Sequence, residues 1–221
     1  DAYTPTTSRL KLWRGYHTLQ LHRQAILNLR GFSADPCVLS GEAYREEETI
    51  PVHQQQRDFA LLFDVFYTKA ILCLIFGRHD DALKNTLTAE MYIKAVTGQP
   101  IFSFFHFVDS LAHLAVIEAR SGEEKHAIFS RLDRNMKVLK TWNKHAPMNY
   151  QHKILLVEAE LSRVGGDIAA AMDLYDRAVK LAGENRYINE EALANELAGR
   201  FYLARGKAKI ASLHLKEARY L

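Results

Sequence analysis

The chain has 221 residues, 48% hydrophobic and 25% charged, with five prolines and eleven glycines, a composition that excludes a disordered or fibrous chain. Its 29 basic and 26 acidic residues nearly cancel to +3, and no stretch gathers Lys and Arg as a phosphate-binding face does, so a nucleic-acid partner is not expected. The two cysteines, Cys37 and Cys73, form no C-x-x-C and indicate neither a zinc site nor a disulfide framework, which fits a reducing cytoplasm.

Periodicity and breakers, taken along the chain, predict helices near 7–30, 55–76, 79–96, 102–120, 123–143, 150–164, 168–183, 189–205 and 208–220. Breaks are expected at "GFSADPCVLSG", at Pro51, at "TGQP", at "KHAPMN" and at "GENRYIN". The long irregular stretch is Gly31 to Pro51, with room for a short helix at "GEAYREEE"; loops of that length are functional or packed tightly on the scaffold. No segment alternates as a strand does. The most apolar run, "FALLFDVFYTKAILCLIF", carries Asp64 and Lys69; a charge at mid-bilayer costs roughly 2.5–3.5 kcal/mol, so the run reads as a buried helix and no membrane insertion is expected. Asp167 suits the N-cap of the helix after it.

Four glycines set a repeating frame. Gly77, Gly122, Gly166 and Gly206 each precede an alanine by five residues: Ala82, Ala127, Ala171 and Ala211. Seven residues before each glycine stands Ala70, Ala115, Ala159 or Gly199, and twelve after it Ala89, Arg134, Ala178 or Ala218. Small residues let two helices approach closely, while glycine supplies the left-handed turn between them. Tyr175 and Leu215, four past their alanines, fill the space one turn on. The expected class is all-α, an α-α superhelix of tetratricopeptide-like hairpins with long, divergent repeats. The plain alternative is a helical bundle whose alanines coincide. Under the repeat reading 1–221 is a single domain, with a helix and loop at 1–54 and hairpins at 55–98, 101–146, 150–187 and 189–221. With Leu221 closing a second helix and no polar capping helix after it, an internal segment of a larger protein is expected, or an end packed on another copy.

Signatures of nucleotide, nucleophile-elbow and zinc-protease chemistry are missing from the sequence. His106, Asp109 and His113 share one helix face, but a single helix is a poor metal site. Cys37 has no neighbouring His or Lys to activate it and reads as a small buried apolar residue. Phe102, Phe104, Phe105 and Phe107 read as core rather than a base-stacking platform. No cofactor is expected, and the segment reads as non-catalytic.

The phrases "DPCVLSGE", "HAPMNYQHKILLVEAE" and "AAAMDLYDRAVKLAGENRYINEEALANELAGRFYLARGKAKIA" resemble the helical-repeat region of the large multi-sensor serine/threonine and histidine kinases of cyanobacteria and other bacteria. The resemblance spans most of the chain from Arg30 onward. It implies a cytoplasmic protein-interaction or signal-relay scaffold beside a signal-transducing ATPase module and a GAF sensor, in a two-component setting. Carrying the tetratricopeptide groove across puts Asp64, Tyr67, Asp109, Arg120, Lys153, Glu160, Arg163, Glu196 and Arg200 on a concave face that docks a peptide or neighbouring domain. The same residues could instead be solvated or paired within the chain. A homodimer is a further expectation. The alternative function is a small-molecule sensor, with a ligand in the apolar interior near Tyr67, Phe104 and Phe105. A third is an enzyme built on His106, Asp109 and His113.

Overall fold

The computed structural model describes residues 7–220, with side chains from Trp13 onward, so the argument about Leu221 lies outside the described residues. Among the described residues there is no strand, only an isolated bridge between Ser40 and Arg45. The fold is all-α, in two compact units divided between Val108 and Asp109.

The first unit holds α1 (Thr7–Leu29), α2 (Glu46–Gln55), α3 (Phe59–Ile75), α4 (His79–Glu90), a 3-10 turn at Ile93–Val96 and the start of α5 (Pro100–Val116). Clusters of buried side chains lie in its interior. Leu21, Ala25, Leu39, Tyr44, Val65 and Leu72 pack together, and Phe63, Ala89, Val96 and Phe105 form another. The irregular stretch after α1 is tied down by amides: Asn28 Nδ2 donates to the carbonyls of Pro36 and Val38 at 3.1 and 2.7 Å. Gln24 Oε1 accepts from Ala43 N–H at 3.0 Å. A Cβ at Gly41 would meet Gln24 Nε2 at 2.5 Å, which explains why the closest approach falls on a glycine.

The break expected at Pro51 is not there. Pro51 lies inside α2, where it forfeits one i→i−4 bond. Three acidic residues in the first turn, Glu46, Glu47 and Glu48, favour that end of the helix dipole, and Glu46 is held at Oε2 by Leu39 N–H at 2.8 Å. The chain breaks instead at Arg57, in the left-handed region at φ 53°.

The second unit holds the rest of α5, a 3-10 turn at Ile117–Ala119, α6 (Gly122–Asn143), α7 (Pro147–Gly165), α8 (Ile168–Glu184), α9 (Ile188–Ala204) and α10 (Ala208–Tyr220). Gly166 ends α7 at φ 81°, and Asp167 N–H reaches back to Ser162 O at 2.9 Å, the six-to-one closure that a left-handed cap makes. Asp167 then caps α8, accepting from Ala170 N–H at 3.0 Å. The same closure recurs at Gly77 and Gly206, where Arg78 and Lys207 reach Cys73 O and Tyr202 O at 2.8 and 3.0 Å.

Behind these turns the small residues behave as the spacing predicts. Ala70, Ala82, Ala89, Ala159, Ala171, Ala178 and Ala211 are at most 1% exposed. A Cβ on Gly199 would lie 2.7 Å from Leu215 Cγ. The second frame departs: Ala127 is exposed and Ala115 only half-buried, while Ile128 and Leu132 are buried instead. Here α5 runs out into a 3-10 turn, Arg120 is extended, and Gly122 opens α6 instead of closing α5.

The stretch Pro100–Ala119 is long and apolar enough to cross a membrane, but 67% of its apolar window is buried and Asp109 sits within it.

Candidate functional site

The first-helix charges of the second unit fall into separate polar clusters. Asp109, wholly buried on α5, accepts at Oδ2 from Arg131 Nε at 2.8 Å and from Asn135 Nδ2 at 2.7 Å, both on α6. His113 Nδ1 lies 2.8 Å from the Asp109 carbonyl one turn back. Oδ2 is thus paired within the fold, and Oδ1 lies 3.4 Å from His113 Nδ1. Among the described residues no three His, Cys, Asp or Glu side chains are placed to hold a metal ion.

Lys153 on α7 is 1% exposed. Its Nζ lies 3.0 Å from Glu190 Oε1 on α9 and 4.2 Å from the centre of the Tyr187 ring. It donates to Asn149 O at 3.1 Å and meets His152 Nε2 at 3.0 Å. Burial lowers the Lys153 pKa, with Glu190 opposing. His152 is pushed down to about 3 by burial and by the Lys153 charge, so its ring is neutral and accepts from the ammonium.

Glu160, also on α7, accepts from the buried Tyr175 hydroxyl on α8 and from Arg163 Nε at 2.8 Å. Arg163 Nη1 continues to the exposed Glu118 at 3.0 Å. Burial works against the Arg163 charge, but Glu160 and Glu118 outweigh it and raise its pKa. On α9 the half-buried pair Arg200 and Glu196 meets at 2.5 Å.

In the first unit, Asp64 and Tyr67 lie half-buried on α3. Tyr67 stacks on Phe63 at 5.6 Å. Burial, and then the Asp58 charge, push Asp64 up to about 6. Phe105, where an interior ligand is expected, instead packs on Phe63, Ala89 and Val96.

Of the nine groove residues, the structure joins Glu160 with Arg163 and Glu196 with Arg200. It buries Asp109, Lys153 and Glu160 in internal contacts and leaves Arg120 half-buried at the end of its 3-10 turn. Sequence reasoning missed Glu190, Arg131, Asn135 and His152. One signal was available: Asp64, Asp109 and Lys153 each stand thirteen residues before a frame glycine. A charge recurring on that inner position needs a partner on a neighbouring helix. Sequence reasoning also missed a cluster in the first unit, where His53, wholly buried with neither ring nitrogen hydrogen-bonded, stands 5.4 Å from His17 and 5.5 Å from Trp13. Set beside models of known families, curated proteins and solved structures, the chain matches none.

Proposed function

We propose that the chain is a non-catalytic helical-repeat scaffold, cytoplasmic, that docks a peptide or neighbouring domain of a multidomain signalling kinase and relays the state of one module to another. The resemblance read from the sequence supplies the kinase setting. The observation that favours docking is the graded openness of the acid–base pairs on α7 and α9. Lys153 is sealed at 1% exposure, whereas the side chains of Arg200 and Glu196 are 39% and 27% exposed and that of Glu118 is 66% exposed. A pair that is half open can exchange its internal partner for a carboxylate or guanidinium on an incoming chain, and Arg suits that exchange because its fork binds carboxylates bidentately.

The test is fluorescence anisotropy against arrays of acidic and basic helical peptides, with Arg200→Glu and Glu196→Lys beside the wild type. Acidic peptides should bind the wild type and lose at least about tenfold with Arg200→Glu, which corresponds to 1.4 kcal/mol. Equal binding by all three proteins breaks the docking reading. A small-molecule sensor is the second reading. Its ligand would sit in the apolar interior near Tyr67, Phe104 and Phe105, where Tyr67 stacks on Phe63 at 5.6 Å.

A further inference from the structure

Helix α1 is apolar on two sides, and the fold buries one of them. Leu21, Gln24, Ala25 and Asn28 face inward and are buried. On the other side Tyr16, Leu19 and Ile26 are 58%, 71% and 56% exposed, and Leu29 and Phe32 are open to solvent as well. Tyr16, Leu19, Arg23, Ile26 and Arg30 follow one another at intervals of three, four, three and four residues, the a and d spacing of a two-helix seam. Arg30 N–H bonds Ile26 O at 3.0 Å, so the helical turn carries on to the last of them. Exposed apolar residues that stand singly are ordinary, whereas a row of them along one seam marks a contact surface.

Charge selects the occupant. From Ala2 to Ala34 the sequence holds Arg9, Lys11, Arg14, Arg23 and Arg30 and no Asp or Glu. Arg23 Nη2 meets Glu42 Oε1 at 2.5 Å, with both side chains open to solvent, and Arg30 Cζ stands 5.1 Å from the centre of the Phe32 ring. We propose that α1 docks an acidic amphipathic helix of a partner protein, which lays apolar side chains over Leu19 and Ile26 and carboxylates against Arg23 and Arg30. The guanidinium fork binds carboxylates bidentately, and a pair as open as Arg23 with Glu42 can take on a second acid.

A second copy of this chain supplies no such acid from α1. Seam against seam sets guanidinium groups on guanidinium groups or on leucine, and covering an unpaired charge is costly. An anionic bilayer fits less well than a helix, because a lipid-facing helix has a broad apolar arc with cations at its edges. Here Arg23 lies within a narrow seam, between Leu19 and Ile26. The surface belongs to the first unit and does not depend on the acid–base pairs of α7 and α9.

The experiment titrates the full chain by isothermal calorimetry with a synthetic three-heptad helix carrying leucine opposite Leu19 and Ile26 and glutamate opposite Arg23 and Arg30. The same helix with lysine in place of glutamate is the control. The wild type should bind the glutamate helix at least about tenfold tighter than the lysine helix, and less tightly as salt rises. Arg23→Glu with Arg30→Glu should reverse the preference. Leu19→Ser with Ile26→Ser should weaken the glutamate helix at least about tenfold, and Arg200→Glu should leave it unchanged. Equal affinity of the wild type for the two helices, or no heat from either, would overturn the proposal without any variant having to fold. So would loss of binding in Arg200→Glu, which moves the site to α9, sedimentation with phosphatidylglycerol vesicles in place of helix binding, or a dimer of the chain that Leu19→Ser with Ile26→Ser disperses.

Discussion

The hairpins α5/α6 and α7/α8 carry the same glycine–alanine spacing and use it differently. In α7/α8, Gly166 closes α7 in the left-handed region, Asp167 caps α8, and Ala159, Ala171 and Ala178 are sealed between helices. In α5/α6 the 3-10 turn at Ile117–Ala119 ends the helix early, Gly122 begins α6, and Ala127 is left exposed. The spacing dictates packing only when its glycine is the residue after the helix, because the six-to-one bond fixes how the next helix leaves. Where the helix unwinds first, the following helix rotates, and Ile128 takes the interior position.

The inner position thirteen residues before each glycine sharpens the contrast, with the largest expected effect. Asp109→Asn removes the charge facing Arg131 and Asn135 and should cost about 3–5 kcal/mol, as breaking a buried pair does. Asp64→Asn should act in the opposite direction. A carboxyl whose pKa rises to about 6 on folding favours the fold when protonated, and that advantage fades as pH rises through 6. At pH 7.5 the Asn variant should therefore be more stable than wild type by up to about 3 kcal/mol, and at pH 4 close to it. Urea titrations at the two pH values decide both cases; a loss of stability in Asp64→Asn at pH 7.5 would show that the carboxylate is well solvated.

Next comes the frame alanine itself. Ala171→Leu forces a branched side chain between α7 and α8 and should cost about 2–3 kcal/mol. Ala127→Leu, at the matching position of α6, should stay within about 0.5 kcal/mol of wild type. Equal losses in thermal melts would mean that the two hairpins pack alike after all.

A comparable effect, read in pH rather than in packing, is expected from His152. Its folded pKa of about 3 lies below the ordinary value of 6.5, so the unfolded chain binds the extra proton as pH falls through that window. Stability should drop by about 1.4 kcal/mol per pH unit between roughly pH 6 and 4, and His152→Gln should flatten that slope. A slope unchanged by the substitution would assign the acid sensitivity elsewhere.

The smallest concerns Arg186, which closes α8 by the same six-to-one bond, Tyr187 N–H to Ala182 O at 2.9 Å, at φ 60° without being glycine. Arg186→Gly should relieve the left-handed strain and raise stability by up to about 1 kcal/mol, less what glycine's freedom takes back in the unfolded chain. A loss on melting would show that the Arg186 side chain outweighs the strain.

Helix positions were legible because their determinants are local. Caps such as Asp167, turn glycines such as Gly77, Gly166 and Gly206, and the apolar period all act within a few residues. Pro51 misled because a single missing bond is tolerated when the rest of the turn is held, here by Glu46 and its contact to Leu39. Eight of the nine groove residues lie on α-helices and Arg120 follows a 3-10 turn in extended backbone, but how far each pair opens to solvent, as at Arg200, was not legible.

The sequence by itself determined the all-helical character, the turn sites and the small-residue faces, since each follows from backbone sterics and short-range periodicity. Tertiary structure alone decided that Lys153 meets Glu190, that Asp109 meets Arg131, and that Gln24 and Asn28 hold the irregular segment. Those partners stand far apart in the chain, and what joins them is the cost of leaving a buried polar group unpaired, which is settled only once helices pack.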